Sequence, residues 1–241
     1  MQENHWKAIW DRKASDTVDI LKQSDFELFC YLKRQNGFDV NVKNEEKYYV
    51  SFYKAWEDLN LKLTKICKKE IESVYEIGCG SGVNLFLFSK KYKVMRVGGI
   101  DYSERLIKLA GKVVNSEDLI CGEADSITTE PKYDAVISES VFQYFSSLKY
   151  AEAVLRKMIC KSNLVTYLGD MHDEEKKDEW LENRRRSMKN YDEIYKGLDK
   201  MFYRRDWIEK IACDYGKKVM FTKTENDEYW NSKYTYNCFI Y

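Results

Sequence analysis

A short β-like run, Ser73–Ile77, ends in three glycines at alternate positions, Gly78, Gly80 and Gly82, and this feature constrains the fold more than any other. Such a turn lets the backbone approach a ligand without Cβ interference and aims helix N-terminal amides at a polar group. The pattern predicts strand, turn and then a helix from Val83 onward. Downstream, Gly98-Gly99-Ile100-Asp101-Tyr102 places a carboxylate at the end of the next strand, 19 residues past Gly82. A carboxylate there can accept hydrogen bonds from both ribose hydroxyls of an adenosine nucleoside. A third element, Gly122-Glu123-Ala124-Asp125-Ser126, ends the strand after that.

Around these elements, short apolar runs alternate with helical periodicity. Strands are expected at Ser73–Ile77, Val94–Ile100, Leu119–Cys121, Ala135–Ser138 and Leu164–Leu168. Helices are expected near Asn84–Lys91, Glu104–Val114 and Leu148–Cys160. That alternation is the signature of βαβ units. The tail holds a charged helical segment from Asp173 to Tyr195, a helix near Arg205–Tyr215, and two β-like runs, Lys218–Lys223 and Tyr234–Tyr241. The expected fold class is α/β, a seven-stranded, mostly parallel, doubly wound sheet with an antiparallel C-terminal strand and a helical N-terminal cap. Residues 1–70 are expected to form the cap or lid, and 71–241 a Rossmann-like domain with a helical insertion at 170–205.

The spacing G-x-G-x-G after an acidic residue, Glu76, differs from the G-x-G-x-x-G of dinucleotide folds. It resembles the first motif of class I S-adenosylmethionine-dependent methyltransferases, and the resemblance extends over about residues 71–170. By that resemblance, Glu76, Gly78, Gly80 and Gly82 bind the cofactor S-adenosylmethionine, Asp101 its ribose and Tyr102 the face of its adenine. Asp125 and Ser126 would bind the adenine amine. The segment Tyr133–Phe145 resembles the family's fourth strand and the loop facing the methyl-transfer site, which adds Ser138 to the cofactor contacts.

Methyl transfer from a sulfonium is a direct displacement, so catalytic residues leave weak marks on a sequence. His172, expected just past the fifth strand with Asp170 or Asp173 to orient it, is the candidate general base. Glu139 is a second candidate, in the loop after the fourth strand. Acceptor contacts are expected from Tyr49, Tyr53, Tyr144 and Arg184, with Trp180, Tyr191 and Tyr195 suited to a sugar or an aromatic acceptor. Trp6 and Trp10, four apart, suggest a lid contact. The plainer readings stay open: a surface histidine, core aromatics, and a solvated helix face on which Glu179 and Glu182 pair with Arg184-Arg185-Arg186.

The 241 residues suffice for one decorated α/β domain. Forty Lys+Arg balance forty Asp+Glu, which lacks the basic footprint of a nucleic-acid binder and favours a small-molecule acceptor. No N-terminal apolar region reads as a signal, and no run approaches the roughly 20 residues needed to span a bilayer. Seven cysteines without a C-x-x-C pair argue against disulfides and zinc, and for reduced thiols in a cytoplasm. A peptide acceptor and a non-catalytic cofactor-binding module remain as alternatives, and the oligomeric state is not legible.

Overall fold

The computed structural model describes residues 22–37, 44–91, 94–224 and 226–241. Trp6 and Trp10 lie outside the described residues. The first helix, α1 (Asp25–Gln35), starts at a capping box in which Ser24 and Glu27 satisfy each other's backbone amides. The second, α2 (Glu45–Cys67), is capped by Asn44, whose side chain accepts from the Lys47 amide. Next comes the alternating core: β1 (Ser73–Ile77), α3 (Val83–Lys91), β2 (Arg96–Asp101), α4 (Glu104–Val113), β3 (Leu119–Cys121), β4 (Tyr133–Glu139), α5 (Leu148–Lys161) and β5 (Ser162–His172). It is followed by α6 (Lys177–Ser187), α7 (Tyr191–Ile194), α8 (Arg205–Cys213), β6 (Val219–Lys223) and β7 (Thr235–Ile240).

One seven-stranded sheet results, in the order β3-β2-β1-β4-β5-β7-β6, parallel from β3 to β5 with β7 antiparallel to both its neighbours. This is the expected fold class. Period-two alternation sends Val74, Ala135, Ile137, Val165 and Tyr167 to one face, with α1, α2 and α3 over them. Tyr75, Ile77, Val136 and Leu168 go to the other, under α5 and α8. Trp56 of α2 meets Phe88 of α3 at 5.1 Å, so α2 packs as part of the first layer.

Two sheet features position the site. The chain leaves β1 toward β2 and β3, then returns to β4 on the other side of β1, creating a topological switch point at the carboxyl ends of β1 and β4. Register brings Ile77, Ile100 and Ser138 level there. The second feature departs from expectation. β5 runs past Leu168 to His172, because an irregularity between Leu168 and Met171 lets the chain resume pairing with β7 at Met171–Tyr236 and His172–Thr235. His172 is therefore the last residue of a strand and not part of a loop beyond it.

Candidate functional site

The glycine loop is held mainly through its own amides. Gly78 and Cys79 both donate to the Ile100 carbonyl, at 2.8 and 3.1 Å, and Gly80 donates to Asp101 Oδ2 at 2.9 Å. Gly78 has φ +71°, and a Cβ there would lie 2.3 Å from Val141 Cγ2 in the loop after β4. Asp101 Oδ1 accepts from the Ser103 amide at 2.9 Å, so each carboxylate oxygen is held by a backbone N–H. The C-cap of α1 closes over the loop. Asn36 Oδ1 accepts from the Ser81 amide at 2.8 Å, and the Ser81 hydroxyl donates to the Leu32 carbonyl.

These groups line one end of a single cavity of about 700 Å³, a volume within the range of ligand pockets. At that end Gly78, Gly80 and Asp101 are joined by apolar walls from Tyr102, Leu106, Ala124 and Phe145, with Asp125 among them. The other end is aromatic and cationic: Tyr144, Trp180, Arg184, Tyr191, Tyr195, Lys200 and Trp230. The tip of β4, Glu139 and Ser140, lies on the same cavity. Ser140 and Asp170 are non-glycine residues with φ +58° and +54°, and the Ser140 hydroxyl donates to Asp170 Oδ2 at 2.7 Å. Left-handed conformations at two adjacent strand ends are held by that bond and by Tyr229, which also donates to Asp170 Oδ2.

Glu139 sits against Gly169, where a Cβ would come within 1.7 Å of its Oε2, so only glycine leaves room for that carboxylate. Burial, reinforced by the Asp170 carboxylate, pushes Glu139 up to about 7, against the downward pull of Lys33 and Tyr167. Burial also holds His172 down to about 3, with the positive charge of Lys200 adding to the effect. The His172 ring packs on Trp180 and Phe202, at 5.4 and 5.0 Å. Its tautomer follows from a chain of donors. The Trp180 indole can only donate, and its bond to Asn231 Oδ1, 2.7 Å, turns Asn231 Nδ2 toward His172 Nε2 at 3.2 Å. The Nε2 lone pair is thereby engaged and the proton lies on Nδ1.

Gly78, Gly80, Asp101, Tyr102, Asp125, Glu139, Tyr144, His172 and Arg184 all line the cavity. Other expected contacts do not. Glu76 is buried beneath the loop, accepts from Asn84 Nδ2 at 2.6 Å and is pushed up to about 8 by burial. Ser138 points back to the Ile77 carbonyl at 3.1 Å, because alternation along β4 turns it into the sheet. The Ser126 hydroxyl closes its own turn onto the Glu123 carbonyl, and Gly82 faces Ala110 of α4. Tyr49 lies under Arg34, and Tyr53 packs on Phe29; the residue of α2 on the cavity wall is Tyr48, about 100° away around the helix. Asp170 and Asp173 do not orient His172, since Asp173 caps the next turn and pairs with Arg205 at 2.7 Å.

Asn36, Phe145, Lys200, Trp230 and Asn231 line the cavity without having been singled out. One signal was available for the last two: a loop preceding an antiparallel strand lies on the same edge as the carboxyl ends of its parallel neighbours. Among the described residues no cluster of metal-ligating side chains occurs, and no helix is long and apolar enough to cross a membrane.

Comparison with known proteins agrees with this architecture. Residues 74–159 match the methyltransferase domain family. The malonyl-(acyl-carrier protein) O-methyltransferase of Priestia megaterium is 37% identical over 96 residues, 39% of this chain and 35% of that protein. Its counterpart in Acetivibrio thermocellus is 27% identical over 47% of this chain and 41% of its own length, so the chain spans less than half of either relative. Among solved structures, magnesium protoporphyrin IX methyltransferase from Synechocystis PCC 6803 with bound SAH superposes with TM-score 0.62 at 16% identity, covering 86% of this chain and 90% of that one. The plantazolicin methyltransferase BpumL with SAH gives 0.58 at 16% identity, covering 92% and 95%. The family match spans the glycine loop and the tips of β2 and β4, and over this core the chain is similar to class I, Rossmann-like S-adenosylmethionine-dependent methyltransferases, whose fold it shares.

Proposed function

We propose that the protein transfers a methyl group from S-adenosylmethionine to an oxygen or nitrogen atom of a small molecule. The observation that carries this reading is the continuity of the cavity, with nucleoside-binding chemistry at one end and an aromatic chamber at the other. Asp101 fits the ribose, because the glycine loop holds its carboxylate still on the cavity wall. Tyr102, Leu106 and Phe145 fit an adenine ring, and Asp125 fits its amine. When bound, the cofactor supplies a sulfonium-activated methyl group. The protein's part is to align the acceptor, exclude water and remove a proton where the acceptor is a hydroxyl.

For that proton we favour Glu139 over His172. Glu139 lies on the cavity at the tip of β4, and burial pushes its carboxyl up to about 7, which suits a general base. His172 is held neutral with its lone pair engaged by Asn231, so it shapes the chamber wall. Candidate acceptors include a sugar or a natural-product or polysaccharide precursor, or an acyl group on a carrier such as the curated relatives' names describe. Seven free cysteines fit a reducing cytoplasm. Incubation with radiolabelled S-adenosylmethionine and an acceptor panel tests the reading; cofactor binding without turnover on any acceptor would favour a non-catalytic binding module.

A further inference from the structure

The acceptor end of the cavity carries two basic side chains that the cofactor chemistry does not use, Arg184 and Lys200. Arg184, on α6, has its guanidinium carbon 5.0 Å from the ring centre of Trp230, 5.4 Å from Tyr191, and 5.9 Å from Trp180 and Tyr195. Its sequence neighbours behave differently, since Arg185 pairs with Asp192 and Arg186 with Glu182, each at 3.0 Å. Arg184 instead contacts the Tyr191 hydroxyl and the Met188 thioether, and no carboxylate of the described residues forms an ion pair with it. Ring faces attract a guanidinium but accept few of its five N–H bonds. Lys200, in the coil before α8, places its Nζ 3.4 Å from the ring centre of Tyr144. Burial and the nearby Arg184 charge push Lys200 well below the usual lysine range, against the opposing pull of Asp170. Of the strand-tip carboxylates, Glu139 lines the cavity, and Asp170, whose charge acts on Lys200, already accepts from Ser140 and Tyr229.

An arginine on a ligand cavity that is surrounded by rings and unpaired with a carboxylate is suited to an external anion. We propose that the chamber takes an acceptor bearing an anionic group, a carboxylate or a phosphate ester, which pairs with Arg184 and Lys200 while its carbon frame lies against Tyr144, Tyr195 and Trp230. The proposal rests on this cavity being the methyl-transfer site, and it favours an acidic sugar or organic acid over a neutral one.

Calorimetry on the full chain tests it. S-adenosylhomocysteine is titrated first, and then phenylacetate, phenyl phosphate and phenylacetamide, with and without saturating S-adenosylhomocysteine. At least one anion should bind about 10-fold tighter than the neutral amide, the worth of a charge-assisted hydrogen bond. Arg184→Gln should abolish that preference and Arg184→Lys should restore part of it, with affinity for S-adenosylhomocysteine unchanged in both. Lys200→Met should weaken the preference independently, so the test does not depend on one variant folding. Whichever anion binds more tightly identifies the group as carboxylate or phosphate ester. Equal binding of amide and anions, absence of binding by all three, or a preference that survives Arg184→Gln would overturn the proposal. Anion preference without S-adenosylhomocysteine binding would remove the methyl-transfer reading alone.

Discussion

The two ends of the cavity are built in different ways. The cofactor end is made by backbone: the turns after β1 and β2 each offer an amide to the Asp101 carboxylate, and the three glycines of the loop sit at positive φ. The acceptor end is made by side chains, rings and two basic groups carried on α6, α7 and the loops around them. The difference teaches why one half carries a motif and the other does not. Backbone geometry demands particular residues at particular spacings, whereas an aromatic wall is satisfied by many arrangements.

The sharpest way to break the comparison acts where the halves meet. Glu139→Gln should lower turnover of a hydroxyl acceptor by about 100-fold, the usual worth of a positioned base, while leaving affinity for S-adenosylhomocysteine unchanged. In the unaltered protein, turnover should rise as Glu139 ionises around pH 7, and the variant should lose that limb. Substitution of His172 by Gln should cost far less, under about 10-fold, and leave the limb in place. A larger loss at His172 than at Glu139 would reverse the assignment.

Within the cofactor end, Asp101→Ala removes an acceptor from the Gly80 and Ser103 amides as well as the proposed ribose contact. Calorimetry should show S-adenosylhomocysteine affinity falling about 100-fold, equivalent to two lost charge-assisted bonds. Gly78→Ala should destabilise the fold by about 2 kcal/mol through its left-handed backbone and its clash with Val141, visible as a lower Tm. Tyr102→Ala should weaken the cofactor by only about 1 kcal/mol, an apolar contact on one ring.

Buried ionisable groups predict opposite pH limbs of stability. Glu76 is raised to about 8 in the folded state, so its contribution is present below about pH 4.5 and is lost as pH rises through 8. His172 is lowered to about 3, so its contribution is present above about pH 6.5 and is lost as pH falls toward 3. Glu76→Gln should therefore flatten the alkaline fall in Tm and leave the acid side unchanged.

The sheet, its order of elements and the residues on the tips of β1 and β2 were legible because parallel strands are continuous apolar runs and the glycine turn has few substitutes. The structure departs from expectation where a side chain's direction matters more than its position. Glu76 and Ser138 lie within the cofactor motifs, yet strand alternation points both into the protein. Tyr49 and Tyr48 differ by one helical step, and only Tyr48 reaches the cavity. The extension of β5 to His172 depends on pairing with β7, a strand more than sixty residues later, which no local pattern reports. Asn36, Lys200 and Asn231 reach the site from turns and coil, where no periodicity marks them.

The most direct measurement is calorimetric titration of the full chain with S-adenosylmethionine, S-adenosylhomocysteine and NAD in parallel. Both sulfur compounds should bind at about micromolar Kd, and NAD should not bind. Binding of NAD alone would contradict methyl transfer and replace it with hydride chemistry on the same sheet edge.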